Sequence, residues 1–476
     1  MLTLLPLLPL LLPAAGAAEP PAQERFTLDN GLTVVVEPRP SSGSVAVVAS
    51  VKVGARNETP ETSGCAHMLE HMLFTGTEKW SEAELKDAIT RRGGEWNGYT
   101  NFERTLYFAR LSADELPLAV EWVSQVVFHP RLDGDQLEKE RKVVFQERGG
   151  DYGWLVNTAD RLGFGYELSR AVRSTLFPAT GLDGRIVGED ESLSTMDLAT
   201  LTEFYDRHYV PSNTVLVVVG GVEVDEVRAL VEQRFGDLPA VDAPPTPARP
   251  EERPGPHEVT IRGPTPTDQV SIQVGARTVG RDHPDYWPLQ VLAELVRVEL
   301  TDIIRYDRGW VYGLQTLNQT WRDAGYFVVK TRAESELVEP ILTEIDAVLD
   351  RLVAGTIDPE RVADAAAASA GRYVIEVENN QARAESLARW LITLPPGAAI
   401  PDYAAGVSAV TPEDLARVAR TYLSQERRFT ALHRPALTSR TALWFSPLIA
   451  FLVGAGTYRG ILKRRALRRL LEQRAT

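Results

Sequence analysis

The chain has 476 residues, of which 44% are hydrophobic and 24% are charged, and its formal net charge is -14. This length exceeds one typical domain and indicates two or three, each able to bury a sizeable core. The negative charge, together with the lack of a base-stacking module, argues against nucleic acid as a partner. The single cysteine, Cys65, excludes an intramolecular disulfide.

The first 18 residues indicate export. The run from Leu2 to Ala18 is uncharged, rich in Leu and Pro, and ends in small residues before Glu19. This pattern is typical of a secretory signal peptide, here residues 1–18, with cleavage after Ala18. Because no Lys or Arg precedes the apolar run, an uncleaved anchor is the alternative.

The segment His67-Met68-Leu69-Glu70-His71 carries the strongest functional signal. Two imidazoles four residues apart on a helix share one face, where both can bind one metal ion. Glu70 lies beside them without having to be a ligand, as a general base does next to a water that a metal activates. The alternative is an exposed histidine pair with an incidental glutamate. Apolar neighbours on both sides instead predict a mostly buried helix, where unpaired polar groups would be costly.

A catalytic zinc ion takes three protein ligands, so the motif requires a third ligand from another element. Residues 136–148 are rich in strong helix formers, and Glu140 and Glu147 lie seven apart there, on one face of the predicted helix. Both carboxylates are therefore candidates for the site. The alternative for Glu140 is an ordinary solvated helix residue. Cys65 precedes His67 by two, off the ligand face, and is expected to be a small buried residue.

A proline-rich stretch divides the chain into similar halves. Nine prolines fall between residues 239 and 266, as in a semi-rigid, extended linker. The sequence Val-Gly-Ala-Arg occurs at 53–56 and again at 274–277, each time after an alternating β run and before a helix. This repetition predicts a duplicated architecture.

The same offset of 221 residues, applied to His67, Glu70 and His71, gives hydrophobic residues: Pro288, Val291 and Leu292. The second half should therefore lack the metal ligands. We predict an α+β fold with two homologous tandem domains, each a mostly antiparallel β-sheet flanked by helices on one face. The predicted boundaries are 19–238 for the metal-binding domain, 239–266 for the linker and 267–437 for the second domain.

The C-terminal residues predict a membrane anchor. Residues 441–458 carry no charge, with Trp444 and Tyr458 near their borders, as in a helix just long enough to span a bilayer. Residues 459–476 contain seven Lys or Arg and one Glu, which predicts a cytoplasmic tail. We therefore expect an ectodomain exported to the periplasm and anchored in the inner membrane. The alternative is an amphipathic helix that lies on the membrane or packs on the protein.

These residues together resemble the pitrilysin and mitochondrial-processing-peptidase family of inverted-zincin metallopeptidases. In that family, H-x-x-E-H is followed about seventy-five residues later by a glutamate ligand on a helix, with another glutamate seven residues before it. Here Glu147 follows His71 by 76 residues. The resemblance implies that His67, His71 and Glu147 bind one Zn²⁺ per chain, that Glu70 is the general base, and that Glu140 orients a ligand.

Two further segments carry the resemblance. Residues 94–100 are similar to the family's strand beside the metal, to which a peptide substrate adds as an extra strand, and Asn97 matches the position that holds the substrate backbone. On its residues alone, Asn97-Gly98 is typical of a hairpin turn. Arg305 and Tyr312 match the family's Arg and Tyr pair, implied to reach the substrate carbonyls or the oxyanion. The alternative is a surface Arg and a core Tyr.

The resemblance implies a zinc metalloendopeptidase that hydrolyses peptides or unfolded polypeptide segments outside the cytoplasm. In the family, four such domains enclose a chamber, whereas this chain has two, so a homodimer or a heterodimer with a homologous subunit is expected. Because the metal ligands and the Arg and Tyr pair occur in one chain, a homodimer that shares sites in trans is favoured. Two alternatives are a non-catalytic scaffold of a membrane complex and a module that binds peptides without cleaving them.

Overall fold

The computed structural model describes residues 23–147, 167–252, 255–263, 267–395 and 397–436. The predicted signal peptide, membrane span and basic tail therefore lie outside the described residues. Within those ranges, none of the helices combines the length and the apolar character that crossing a bilayer requires.

The first half is built on a six-stranded sheet. Its strands are, in chain order, β1 (Glu24–Thr27), β2 (Thr33–Pro38), β3 (Ser44–Val51), β4 (Glu95–Thr100), β5 (Thr105–Ser112) and β6 (Thr214–Gly220). They are arranged in the order β1-β2-β6-β3-β5-β4. Only β2 and β6 run parallel, and the other neighbouring pairs are antiparallel. The central strands are rich in valine because both of their faces are buried.

All but one of the described helices of the first half cover one face of this sheet. They are α1 (Cys65–Met72), α2 (Glu82–Thr90), α3 (Leu116–Phe128), α4 (Gly134–Glu147), α5 (Leu168–Leu176), α6 (Asp190–Thr195), α7 (Leu198–His208) and α8 (Val224–Phe235). All of them except α5 contribute buried or partly buried side chains to one core with alternate residues of the central strands. Strand alternation sends the intervening valines to the opposite face.

The second half repeats this sheet. Its strands are β7 (His257–Gly263), β8 (Gln269–Thr278), β9 (Leu314–Thr320), β10 (Gly325–Glu334) and β11 (Arg428–Pro435). Their order, β7-β11-β8-β10-β9, reproduces β2-β6-β3-β5-β4 of the first sheet. The parallel pair recurs as well, because β7 and β11 are parallel and the other pairs antiparallel. The two halves are therefore two copies of one α+β arrangement.

The helices of the second half are α9 (Tyr286–Leu300), α10 (Val338–Val353), α11 (Pro359–Glu376), α12 (Asn380–Leu391), α13 (Tyr403–Ser408) and α14 (Pro412–Tyr422). Helix α9 follows β8 as α1 follows β3. Pro288, Val291 and Leu292 lie on α9 and are buried there. At the positions that correspond to the histidine motif, the second half therefore has ordinary core residues.

The proline-rich range has a role beyond linking the halves. Strand β7 lies inside the predicted linker 239–266 and pairs with β11 at the edge of the second sheet. Residues 239–252 have no regular secondary structure. Proline has no backbone N–H to donate to a neighbouring strand, so it is tolerated in edge strands and at strand ends. The prolines next to β7 in the sequence are therefore compatible with an edge strand.

Each sheet is also covered on its second face, by a helix from the other half. Helix α12 packs Ala384, Leu387, Ala388 and Leu391 against the outer face of the first sheet. Helix α5 of the first half packs in the same way against aromatic residues of the second sheet. The prediction of helices on one face only was therefore wrong, because strands that are apolar on both faces require cover on both.

The repeated Val-Gly-Ala-Arg motif joins the halves. The guanidinium of Arg56 donates to Asp323 at 2.7 and 3.1 Å, to Glu103 at 2.7 Å and to the carbonyl of Ala248 at 2.9 Å. Its counterpart Arg277 donates to backbone carbonyls of the first half and the linker, at Leu176, Pro250 and Glu251. Each copy thus ends in an arginine that bonds to the linker and to the opposite half.

The α12 contact gives a stability prediction. Leu387 is 1% exposed in the apolar layer between α12 and the first sheet. Leu387→Ala should lower the free energy of unfolding by about 2–5 kcal/mol, because the deletion leaves a cavity that the sheet cannot fill. Val374→Ala on α11, where the valine is 61% exposed, is the control and should change the same quantity by less than about 0.5 kcal/mol. Denaturant unfolding followed by circular dichroism measures both, and equal effects would contradict the interdomain packing.

Candidate metal centre

Helix α1 is held at both its core face and its N-terminus. Cys65, Met68, Leu69 and Met72 are buried on one side, which leaves His67, Glu70 and His71 on the other side. Gly64, in the left-handed region at φ 91°, offers no side-chain cap. The carboxylate of Glu58 accepts hydrogen bonds from the N–H groups of Gly64 at 2.8 Å and Ala66 at 2.9 Å instead. These bonds satisfy free donors of the helix end.

Helix α4 lies against α1 and presents two carboxylates to it. Leu137 and Val144, seven residues apart, are its buried residues. Glu140 and Glu147 have the same spacing, and both side chains point at the histidines of α1. Over its described residues, 136–147, the predicted helix is thus present as α4.

Three side chains converge on one point. The Oε2 atom of Glu147 is 3.6 Å from Nε2 of His67 and 3.6 Å from Nε2 of His71. The ligand atoms of all three residues lie within 4.8 Å of one another. On the far side of the His71 ring, Nδ1 is 3.3 Å from Oε2 of Glu140. If Nδ1 carries the proton and donates to Glu140, the lone pair of Nε2 points at the site.

The electrostatics of the two histidines differ. Burial, with help from neighbouring His71, lowers the pKa of His67 to about 4, so this ring is neutral at pH 7. Burial also acts to lower the pKa of His71, but the hydrogen bond with Glu140 and the charges of Glu147 and Glu70 outweigh it, and the pKa is raised. As the pH falls, the His71 ring takes up a proton, and a metal ion must displace that proton in order to bind. Metal binding is therefore weaker in acid.

The donor set fits zinc. Two imidazole nitrogens and one carboxylate oxygen are typical of a catalytic zinc site, in which the fourth position is open. Ligand atoms about 2.0–2.1 Å from a tetrahedral zinc ion are about 3.4 Å apart, close to the 3.6 Å between each Nε2 and Glu147. Throughout the part of the chain that the structure describes, no fourth His, Cys, Asp or Glu joins the cluster. Cys65 is buried, with Sγ 3.9 Å from Sδ of Met196, as predicted for a packing residue.

Glu70 lies next to the three donors but outside their set. The hydroxyl of Thr100 donates to Oε2 of Glu70 at 2.7 Å. Burial raises the pKa of Glu70, although hydrogen bonds from Thr100 and the charge of His71 act in the opposite direction. A carboxyl group that is not a ligand and has a raised pKa is suited to take up and release a proton.

Among the described strands, β4 lies at the edge of the first sheet, next to α1. Its residues Asn97 and Gly98 pair with Phe108 and Tyr107 of β5, so the hairpin-turn alternative was wrong. A Cβ atom on Gly98 would lie 3.0 Å from the ring of Phe74 and 3.2 Å from Cγ of Glu70. A side chain at this position would therefore push Phe74 or Glu70 by a few tenths of an ångström, so glycine suits the close approach of β4 to α1. Asn97 is exposed and lies on the opposite face of the strand from Gly98.

Known proteins share both halves of this arrangement. The family model described as "Insulinase (Peptidase family M16)" matches residues 33–150, and "Peptidase M16 inactive domain" matches residues 195–369. An uncharacterized zinc protease of Mycobacterium tuberculosis is 30% identical over 432 residues, covering 88% of this chain and 95% of that protein. This chain belongs to peptidase family M16. The resemblance predicted from the sequence is thereby confirmed.

Other relatives extend the M16 comparison. The mitochondrial-processing peptidase subunit beta of Homo sapiens is 26% identical over 416 residues, 83% of this chain and 81% of that protein. The crystal structure of a protease from Helicobacter pylori has a TM-score of 0.77 at 24% identity, covering 87% of this chain and all of that one. That of the peptidase M16 inactive domain from Pseudomonas fluorescens has a TM-score of 0.75 at 16% identity, covering 87% of this chain and 99% of that one. These two structures show that the M16 fold extends over both halves.

The predicted pair in the second half, Arg305 and Tyr312, makes its ring contacts within its own segment. Arg305 is part of a π-helical turn, Thr301–Asp307, and its guanidinium stacks over the rings of Tyr306 at 5.3 Å and Tyr312 at 5.7 Å. Tyr312 is 94% exposed, so the core-tyrosine alternative was wrong. Among the described residues, neither Arg305 nor Tyr312 forms a hydrogen bond or ion pair with α1, α4 or β4. The structure therefore brings them together with each other but not with the histidines of the same chain.

Sequence reasoning missed two residues that support this M16 site. Thr100 could have been found from strand alternation, since it lies two residues after Gly98 and shares its face. Glu58 lies six residues before Gly64, the N-cap of α1. No standard capping motif uses this spacing, so the sequence contains no signal for Glu58. Burial raises the pKa of Glu58 to about 7 in spite of its two backbone hydrogen bonds.

Proposed function

We propose that this chain is a zinc-dependent metalloendopeptidase that cuts peptides or unfolded polypeptide segments. The observation that carries the proposal is the convergence of His67, His71 and Glu147 within 4.8 Å, with Glu70 beside them and free of the donor set. Relatives over most of the chain are named zinc proteases. Zn²⁺, one ion per chain, is the cofactor that this donor set suits.

The residues of the site divide the work of hydrolysis. When bound, zinc supplies Lewis acidity and lowers the pKa of water at the open position. Glu70 accepts the proton that the attacking water loses, and donates it to the nitrogen of the leaving amine as the peptide bond breaks. Glu140 holds the His71 ring in one tautomer and one orientation. The edge of β4, the strand that carries Asn97, would pair with the substrate main chain. Main-chain pairing of this kind requires little of the substrate sequence.

The rival proposal is a scaffold or a peptide-binding module without turnover. A scaffold has no need of a complete donor set together with a carboxylate that is not a ligand, whereas a binding module would keep the zinc but show no turnover that depends on Glu70. In this chain, all of these residues are present and assembled on α1 and α4. The enzyme proposal is therefore favoured, and dependence of turnover on Glu70 distinguishes the two.

The test is cleavage of quenched, unstructured peptides by the full chain in detergent, with metal content measured on the same sample. We expect cleavage with about one zinc per chain, loss of cleavage on removal of zinc by a chelator, and recovery when zinc is returned. Zinc in the protein without cleavage of any peptide would favour the binding-module proposal. A protein that holds no zinc would contradict the proposed centre.

We further propose that two copies pair and that Arg305 and Tyr312 serve the metal centre of the other copy. The exposure of Tyr312 supports the proposal, as does the lack, among the described residues, of any hydrogen bond or ion pair between this pair and the histidines of its own chain. The test mixes a Glu70→Gln chain with an Arg305→Ala/Tyr312→Phe chain, each of which is impaired alone. If sites are shared in trans, one of the two sites in each mixed dimer is intact, so the mixture should regain about a quarter to half of the parent activity. A mixture no more active than its components would contradict pairing in trans and leave a homologous partner subunit as the alternative.

For location, we propose export and anchoring in the inner membrane. The support is the uncharged segment 441–458 with its basic tail, and the signal-like residues 1–18. Protease added to intact spheroplasts should digest the ectodomain and leave a tag at residue 476 protected. Protection of the whole chain would contradict export.

Glu140 gives a prediction on metal affinity. Glu140→Gln should weaken zinc binding by about 10- to 100-fold, because the amide is a poorer acceptor for the N–H of His71 and no longer raises the basicity of the ring. Competition with a chromophoric chelator measures the affinity. Glu138→Gln, on the same helix with a 64% exposed side chain, is the matched control and should leave it unchanged. Equal affinities for the two variants would show that Glu140 does not tune the centre.

A further inference from the structure

The side chain that lies against Glu70 is a hydroxyl. Oγ1 of Thr100 is 2.7 Å from Oε2 of Glu70, and Thr100 reaches it from β4, the strand that borders the metal centre. A hydroxyl differs from every other common hydrogen-bonding side chain near the site, because one atom both donates and accepts. This property matters for a partner of a group that changes its protonation state during the reaction.

A second hydroxyl lies behind the first. Thr105 is the directly paired residue on β5, and its Oγ1 is 3.3 Å from Oγ1 of Thr100. Thr105 is fully buried and donates its single proton to the carbonyl of Val53 at 2.9 Å. While that proton is donated to Val53, the oxygen of Thr105 can accept from Thr100. The carbonyl of Ala66, at 3.5 Å, is a further acceptor for the same hydroxyl.

The Thr100 hydroxyl can therefore hold Glu70 in both of its protonation states. When Glu70 is ionised, the Thr100 hydroxyl donates to its carboxylate. When Glu70 has taken the proton of the attacking water on its other carboxyl oxygen, Oε2 still accepts the hydrogen bond from Thr100. No hydrogen bond of Glu70 is lost in either state, and no heavy atom has to move.

We infer that Thr100 is a positioning residue for Glu70, and that its hydroxyl keeps the carboxyl group aimed at the metal centre both before and after proton uptake. The inference rests on the proposed function and adds to it a residue that the histidine motif does not contain. The Thr100 side chain lies on the α1 face of β4, away from the edge to which a peptide would add. It should therefore affect the chemical step and leave substrate binding unchanged.

The test compares Thr100→Val, which keeps the shape and removes the hydroxyl, with Thr100→Ser, which keeps the hydroxyl. We expect Thr100→Val to lower kcat by about 10- to 100-fold, the usual effect of losing a hydrogen bond to a charged group. KM, zinc content and melting temperature should stay near the parent values. Thr100→Ser should recover most of the lost kcat. Thr343→Val, at an exposed position of α10, is the matched control for a threonine-to-valine change.

A structural measurement accompanies the kinetics. In crystals of the Thr100→Val protein, the Glu70 carboxyl group should leave its parent position, whereas in Thr100→Ser it should stay. Unchanged kcat with an unmoved Glu70 in Thr100→Val would overturn the inference, as would equal losses of kcat in the valine and serine variants. If the parent chain itself cleaves no peptide, the proposed function fails. The position of Glu70 in the two crystals still decides whether Thr100 holds it.

Discussion

Glu70→Gln should lower kcat for peptide cleavage by about 10²- to 10⁴-fold, the usual contribution of a general base. Glutamine has nearly the same shape and can still accept the hydrogen bond that Thr100 donates at 2.7 Å, but it cannot take a proton from water. The three donor residues do not include Glu70, so the variant should keep about one zinc per chain. Steady-state kinetics and metal analysis on the same preparation measure both quantities.

The control for this variant is Glu203→Gln, the same change at an exposed position of α7. It should leave both activity and zinc content unchanged. If Glu70→Gln retained the parent kcat, another group would be the base. If it lost its zinc, Glu70 would be acting as a ligand or as a support for one, and the division of roles between α1 and α4 would have to be revised.

Arg56→Met should lower the free energy of unfolding by about 3–5 kcal/mol, the usual cost of removing one partner of a buried ion pair. The side chains of Arg56 and Asp323 are 1% and 3% exposed, and Glu103 is 14% exposed. Methionine fills most of the volume of arginine but leaves these carboxylates with fewer donors and frees the carbonyl of Ala248. Because these groups come from both halves and the linker, the loss should appear as weaker docking of the domains.

An exposed pair on the same half supplies the comparison. Arg91 and Asp87 form a salt bridge at 2.6 Å with side chains 78% and 47% exposed. Arg91→Met should change the free energy of unfolding by about 1 kcal/mol or less, since water screens the pair. Denaturant unfolding and limited proteolysis of the linker distinguish the variants. If Arg56→Met cost no more than Arg91→Met, the interdomain network would contribute little to the stability of the fold.

The metal centre could be predicted because its geometry is mostly local. Two histidines four apart on α1, and two glutamates seven apart on α4, share a helical face by the pitch of the helix alone. Strand alternation in the same way predicted the β runs at the two Val-Gly-Ala-Arg repeats, where β3 and β8 lie. The repeated Val-Gly-Ala-Arg predicted the duplication, which the matching strand orders of the two sheets now support. The predicted signal peptide and membrane span lie outside the described residues. They stay predictions, as does the cellular location that follows from them.

The sequence by itself thus determined the fold class and which side chains share one helical face, because these follow from short-range spacing on single elements. The family resemblance implied that the faces of α1 and α4 meet at one metal ion. Only the tertiary structure decided which long-range neighbours complete that centre. The pairing of β4 with β5 places the hydroxyls of Thr100 and Thr105 behind Glu70. The exchange of α5 and α12 between the halves depends on two sheets that each expose a second apolar face. Such contacts join residues far apart in the chain, and no local period of the sequence encodes them.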